Sequence, residues 1–473
     1  MPVPPGLSSP DDLIRPEPTV TGTHLAMSTV EMVVRCVVEA GTSLRAAAGV
    51  HEIARRVLCG EDQPGPSHVT VRNLLLRLGL YEVTRPKEFA ADWLWIVDHT
   101  IQAGTTKCFL VVGIRHRDFL RLDRPLEHHD LQMLALIPVE TSTGAIVHQQ
   151  FLELAGQCGV PLAILSDHGS DLKKGVELLL QDHPDVIALY DIVHKTSRLM
   201  DQILSADEQW AAYRQACCRC ANSVRQTRLS HLKPPKPKTK ARHMNIEHEI
   251  RWGARALSLL NSARAGTLDD DQLQDLPLPF LEETFGWLDE YADALNRWEQ
   301  LSVISQTACR TVRISGYDQS LPSRMESALA TAHDQTTRDQ TTHDGSSGGE
   351  AANRLATGLL DFCEQTATAV GSTSRMPGSS EVIESLIGKG KRMASHAGAG
   401  GMTGQILTLA ASVVEPTREF LAAALKACGI KTLQHWCQTF LPTSSQSLRA
   451  RDLVATRPEQ NLRKSQLATT PNF

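Results

Sequence analysis

Two aspartates close apolar runs. Asp98 ends the run in WLWIVDHT (93–100), and Asp167 ends the run in LAILSDHGSD (162–171). Apolar runs of this length predict buried strands, and a carboxylate at the carboxyl end of such a strand lies where open α/β sheets gather their sites. Taken singly, either residue is equally well explained as a cap on the following helix; two in one sheet suggest a shared site. Neighbouring carboxylates repel one another, and a hard divalent cation removes that conflict; Mg²⁺, held by few carboxylates and substrate phosphates, suits them. A third acid comes from SSEVIESLIGKGKRM (379–393), where Glu384 is the first choice and Glu381 the alternative. Glu381 is also explained simply as an acid near a helix N-terminus behind Ser379 or Ser380. Lys391 follows Glu384 by seven residues and so shares its helix face. Lys389 and Arg392 lie beside it, and the three cations suit either phosphate oxygens or a solvated face.

The elements that must position these residues follow from the periodicity. Trp93–Val97, Cys108–Ile114, Met133–Val139, Leu162–Leu165 and Val186–Leu189 read as strands. Helices are expected over Ala145–Gln157, Asp171–Leu180 and Val193–Leu204, which makes one mixed sheet with helices packed on it. Ahead of it, Val30, Val33, Val34 and Val37 share a helical face ended by Gly41, and Thr42 or Ser43 caps a second helix. Ser67 caps a third, HVTVRNLLLRLG, expected to stop at Gly79. Three short helices make a helix-turn-helix candidate. His68, Thr70, Arg72, Asn73 and Arg77 are the non-core positions of the third, and suit groove reading or an ordinary polar face. After Ser205 the pattern is helical, broken by RQTRLSHLKPPKPKTKAR (225–242), an acidic loop (268–279) and the repetitive DQTTRDQTTHDGSSGGE (334–350), which reads as an unstructured linker.

The chain has 473 residues and a formal net charge of −5, with 41% hydrophobic and 21% charged residues. That balance suits a multi-domain globular chain and excludes a uniformly basic DNA coat. The charge is nonetheless uneven. Residues 225–242 hold seven basic and no acidic residues. There Lys236, Lys238 and Lys240 suit tracking of a phosphate backbone, or a solvated linker. No apolar run approaches a membrane span, no signal pattern opens the chain, and scattered cysteines indicate a reducing cytoplasm. Cys217 and Cys220, with His243 and His248 following, are too widely spaced for a common zinc finger. GAGGMTG (398–404) has no preceding strand and so no dinucleotide fingerprint.

The order of an N-terminal helix-turn-helix, Asp98, Asp167, a helical insertion and Glu384 resembles the bacterial insertion-sequence DDE transposases. The Glu-x₆-Lys spacing of Glu384 and Lys391 resembles the end of the Tyr-x₂-Arg-x₃-Glu-x₆-Lys signature of one large group, with Pro377 and Ser380 in the Tyr and Arg slots. LYDIVHKTSRLM (189–200) resembles an Asp-x₂-His element after the last core strand, which gives His194 a place at the site edge or on DNA; a helix-start histidine is the structural alternative. The resemblance implies an α/β RNase H-like catalytic core. It further implies two Mg²⁺ or Mn²⁺ ions held by Asp98, Asp167 and Glu384, cleavage at transposon ends and strand transfer into target DNA. DNA, a homodimer or higher assembly on it, and a cytoplasmic, nucleoid-associated location follow. The expected organisation is a disordered lead (1–24), a helix-turn-helix domain (25–88), the first part of the core (90–204), the insertion (205–375), a returning core helix with the catalytic Glu (376–412), a C-terminal helical segment (413–443) and a tail (444–473). The alternatives are a domesticated, inactive DNA-binding regulator and another RNase H-like nuclease such as a resolvase.

Overall fold

A computed structural model describes residues 19–60, 64–103, 106–167, 169–236, 246–268, 277–339, 346–395, 403–443 and 445–454. Five strands form a mixed sheet: β1 (Trp93–Ala103), β2 (Thr106–Arg115), β3 (Gln132–Val139), β4 (Ala163–Ser166) and β5 (Ile187–Tyr190), in the order β3-β2-β1-β4-β5. β1 and β2 pair antiparallel, as do β2 and β3, while β1 and β4 run parallel. Trp93–Val97 and Cys108–Val112 are at most 1% exposed, which is why these runs carry no polar alternation. Among the described residues no helix is long and apolar enough to cross a membrane.

The chain forms two bodies. The first holds the described residues up to Asp118, Leu126–Val186 and those from Ser380 onward; the second holds Phe119–Pro125 and Ile187–Ser379. In the first body α1 (Met27–Val38), α2 (Leu44–Cys59) and α3 (His68–Thr84) form where the valine and leucine spacing places them. The Ser43 and Ser67 hydroxyls accept from Ala46 N and Thr70 N as N-caps. After β2 comes the single turn α4 (His116–Phe119), and α5 (Gly144–Cys158) and α6 (Ser170–Asp182) precede and follow β4. The lead is structured earlier than its composition suggests, since Val20 is 7% exposed and joins the core of α1 and α3.

The third helix departs from its expected end. Gly79 does not stop it: α3 runs on to Thr84, and Gly79 lies against a short helix later in the chain, α15 (Leu407–Ala411). A Cβ at Gly79 would collide with the Leu407 carbonyl oxygen, so glycine here permits close approach of two backbones. Gly79→Ala is expected to lose about 1–3 kcal/mol of stability by overpacking, read as a lowered urea midpoint.

Around α3 pack α1, α2, α15, α16 (Arg418–Ala427), α17 (Ile430–Phe440) and β3. Val71, Leu74–Leu80 and Glu82 are all buried along it. The helix expected to read a groove is therefore mostly a core helix. Its last turn is tied to β3 through Glu82, which accepts from Met133 N at 3.1 Å and from Lys87 Nζ at 2.7 Å. Burial pushes the Lys87 ammonium down to about 8 from 10.5, with Glu82 opposing. The unfolded chain therefore binds more protons between those values, and this group's contribution to stability rises as pH climbs from about 8 to 10.5. Urea midpoints measured at both ends of that window should rise more with pH in the wild type than in Lys87→Met.

The second body is helical, as expected after Ser205. It comprises α7 (Ile192–Ser205), α8 (Glu208–Ser223), α9 (Ile246–Arg264), α10 (Leu278–Phe285), α11 (Ala292–Ser315), α12 (Leu321–Asp339) and α13 (Ser346–Val370). The expected unstructured linker over 334–350 is partly helical, since α12 reaches Asp339 and α13 starts at Ser346. The chain's few aromatics concentrate here: Trp298 lies 4.9 Å from Trp210 and 5.2 Å from Tyr213, ring to ring. Gly253 makes room for Tyr213, whose hydroxyl donates to the Glu249 carbonyl at 2.7 Å. Cys217 and Cys220 are buried in the same body, and burial pushes their thiols up to about 12 and about 11. His243 lies outside the described residues.

Candidate active site

The register of β1 against β4 decides where the two aspartates sit. Leu94 pairs with Ala163, Ile96 with Leu165 and Val97 with Ser166. Asp98 and Asp167 are the next residues along each segment, side by side where the parallel pairing stops: Asp167 lies just past the end of β4, while Asp98 is inside β1, which does not end at Val97 as expected but runs on to Ala103 against β2. Neighbouring strands lie about 4.8 Å apart, so the two carboxylates share one short stretch of sheet edge. Both residues are half-buried. Gly169 N donates to Asp167 Oδ1 at 2.8 Å, which fixes the turn into α6.

Side chains alternate along β1, so Trp95, Val97 and His99 face one way and Ile96 and Asp98 the other. α5 covers the first face, where Phe151 stacks on Trp95 with centroids 6.0 Å apart. The helix α14 (Glu381–Ser395) also packs on β1 and carries Glu381 and Glu384, both half-buried. Among the described residues, however, no three His, Cys, Asp or Glu side chains are gathered closely enough to hold a metal ion. Asp98 and Asp167 are brought together; Glu384 is brought to the same body on a helix against β1, without closing a triad.

Four residues beside the pair are absent from the sequence-based candidates. His99 follows Asp98, and its Nδ1 lies 3.6 Å from Asp171 Oδ2 while Nε2 lies 3.1 Å from Ser142 Oγ. Lys107 Nζ is 3.9 Å from the same Asp171 oxygen. Asp167 and Asp171 flank Gly169, where a Cβ would stand 3.4 Å from Oδ1 of each. Burial pushes the His99 imidazole below its ordinary value against the pull of Asp171. Burial works to raise the Asp171 carboxyl, but the Ser142 hydroxyl, His99 and the Leu172 N–H together hold it below its ordinary value. Two of the four carry a signal in the sequence: His99 is the next residue in WLWIVDHT, and Asp171 the second acid after Asp167 in SDHGSD. Ser142 and Lys107 come from other segments, and only the fold connects them.

No protein-family model matches the chain, and no curated protein matches it. Among solved structures, it is similar to the Drosophila P element transposase strand transfer complex. The TM-score is 0.37 and the identity 11%, with 84% of this chain and 94% of that chain covered. A likeness of that size assigns nothing to this chain.

The residues expected to meet DNA divide sharply. Arg72 is exposed, and Thr70 and Asn73 are half-buried, near the start of α3. Arg77 is not on a groove-facing surface at all. It is 4% exposed, and its guanidinium donates to the carbonyls of Cys428 (2.6 Å), Leu425 (2.7 Å) and Gly22 (3.0 Å). It belongs to the core, and it leaves the set of DNA-facing candidates. Lys389 is also partly committed: its ammonium donates to the Val38 carbonyl, and burial followed by Arg392 pushes it down, with Glu39 opposing. Lys391 and Arg392 are exposed on the last turns of α14. His194 lies in the first turn of α7 in the second body, where its N–H donates to the Asp191 cap at 2.9 Å, a helix-start position. Lys236 is exposed; Lys238 and Lys240 lie outside the described residues. At the start of the basic stretch, Val224–Gln226 and Ser230–Leu232 each form a single 3₁₀ turn.

Proposed function

We propose that this chain cuts and rejoins DNA phosphodiesters as a transposase of the DDE type, with Asp98 and Asp167 at the reacting edge. The observation that carries this reading is the parallel register that makes Asp98 and Asp167 neighbours where β1 and β4 stop pairing. Two hard oxygen donors on one sheet edge fit Mg²⁺ or Mn²⁺, and Asp98 and Asp167 would hold the ion. When bound, such an ion supplies Lewis-acid polarisation of a phosphodiester and lowers the pKa of attacking water. Near Asp167, on the face of β1 opposite Asp98, the chain's own residues form a polar cluster. Asp171 and Ser142 fix the His99 ring, and Lys107 adds a cation to the same cluster. Lys391 and Arg392, exposed on the helix of Glu384, offer charge to phosphate oxygens. Glu384, on the helix packed against β1, is the third acid of this reading. DNA and a second copy of the chain are the partners it implies.

The open arrangement of Glu384 favours a second reading, a DNA-binding regulator without phosphoryl-transfer chemistry. One assay separates the two. End-labelled duplexes drawn from DNA flanking the coding region are incubated with the full chain, in Mg²⁺ or Mn²⁺ and in EDTA. Metal-dependent cleavage supports the transferase; binding without cleavage in either metal supports the regulator.

A further inference from the structure

The first body holds a cleft of about 520 Å³ between α3, α17 and residues 403–405. Its polar lining comprises Arg72 and Asn73 from α3, Gln434 and Gln438 from α17, and Thr403 and Gln405; Leu76 and Leu433 form part of its apolar lining. The described residues that line it include no carboxylate. This is an unusual wall, because carboxamides carry a donor and an acceptor side by side while a single guanidinium carries all the charge. Gln434 and Gln438 are one helical turn apart and therefore present their amides together. Arg72 Nη2 lies 3.5 Å from Asn73 Oδ1, which joins guanidinium and carboxamide into one polar edge.

A ligand matching this wall is uncharged and planar on one side, with alternating donors and acceptors along an edge, and anionic at one point. Amino acids and cationic ligands fail on the missing carboxylate. A nucleotide fits: its base edge is what Asn and Gln carboxamides recognise, its faces suit leucine, and its phosphate suits Arg72. The volume lies in the range of small-ligand sites and is far too small for a duplex. We infer that the cleft between α3 and α17 takes one unpaired nucleotide of a DNA strand, with its base edge on Asn73, Gln434 and Gln438 and its phosphate on Arg72. The inference rests on the reading of DNA as the substrate, and gives α3 a different task from groove reading: it forms a wall of a pocket.

The test uses the full chain and two fluorescent probes, a blunt duplex and the same duplex with a short single-stranded 3′ tail. Wild type is expected to bind the tailed probe about tenfold more tightly. Gln434→Leu combined with Gln438→Leu should bring the two affinities within about twofold while blunt-duplex affinity stays the same. Both glutamines are exposed, so the fold is retained, and a melting curve checks this. Arg72→Gln, tested separately, should weaken tailed binding and flatten its salt dependence. Equal affinity of wild type for both probes, or a tail preference that survives the double substitution, overturns the cleft and leaves the proposed cleavage reading standing. Failure to bind either probe overturns both.

Discussion

Asp98→Asn and Asp167→Asn are each expected to cut metal-dependent DNA cleavage by at least about 10²–10³-fold, the order of loss seen when one preorganised electrostatic group is removed from a reacting centre. Asparagine keeps the shape and one oxygen, so the loss measures charge rather than packing. Single-turnover cleavage is the appropriate measurement, because it reads the chemical step apart from product release. The two substitutions should also be strongly non-additive, the double variant being little worse than either single one, because both act on one centre. A second readout goes the opposite way. With no divalent cation present, two carboxylates one strand spacing apart repel, and neutralising either relieves that repulsion. Both variants are therefore expected to melt slightly above the wild type in EDTA at low salt, and to lose that advantage as salt screens the pair. A variant that loses activity by unfolding would melt lower, so the two readouts together separate chemistry from structure.

Arg77→Ala is expected to be the most damaging single change to the stability of the first body. The guanidinium satisfies three backbone carbonyls, those of Cys428 and Leu425 at the end of α16 and Gly22 ahead of α1. Removing it strands three acceptors in a region where Arg77 is 4% exposed. Each buried unsatisfied group costs about 1–3 kcal/mol, and partial entry of water lowers the total to about 3–5 kcal/mol. Lys, with one charge and no fork, cannot reach all three carbonyls and should recover only part of the loss. Chemical denaturation checks the magnitude. Because Arg77 is a core residue, Arg77→Met at a temperature where it stays folded should leave DNA affinity and its salt dependence unchanged. A reduced salt slope in that variant would return Arg77 to the DNA surface.

Strands β2 to β4 are legible in the sequence because each is an apolar run, and β1 is legible over Trp93–Val97; its continuation through His99 to Ala103 is not apolar throughout and follows from pairing with β2. The N-caps Ser43 and Ser67 are legible because their signal is local. Gly79 misleads because a glycine at the end of a helical pattern suits a stop equally well; what makes it a contact glycine is the backbone at Leu407, far along the chain. Arg77 occupies a polar position of an amphipathic pattern, and nothing nearby in sequence reveals the carbonyls that receive it. The linker over 334–350 misleads at its ends because the helical patterns on either side carry α12 and α13 into residues of low intrinsic helix propensity, such as Thr336 and Gly348. In the site, the ends of apolar runs point to Asp98 and Asp167, and the register then makes them neighbours. Ser142 and Lys107 are invisible in the sequence, since they reach His99 and Asp171 only through folding. Glu384 lies on the helix expected for it, but helix periodicity says nothing about how far that helix stands from the sheet edge.

Whether Asp98 and Asp167 form one cation-binding edge is tested most directly by electron paramagnetic resonance of Mn²⁺ titrated into the full chain, which does not rely on activity. Loss of the free-ion signal should saturate in the wild type, be abolished or greatly weakened in Asp98→Asn and in Asp167→Asn alike, and persist in Lys107→Ala, which leaves both carboxylates in place. Unchanged Mn²⁺ binding in either aspartate variant would contradict the shared edge.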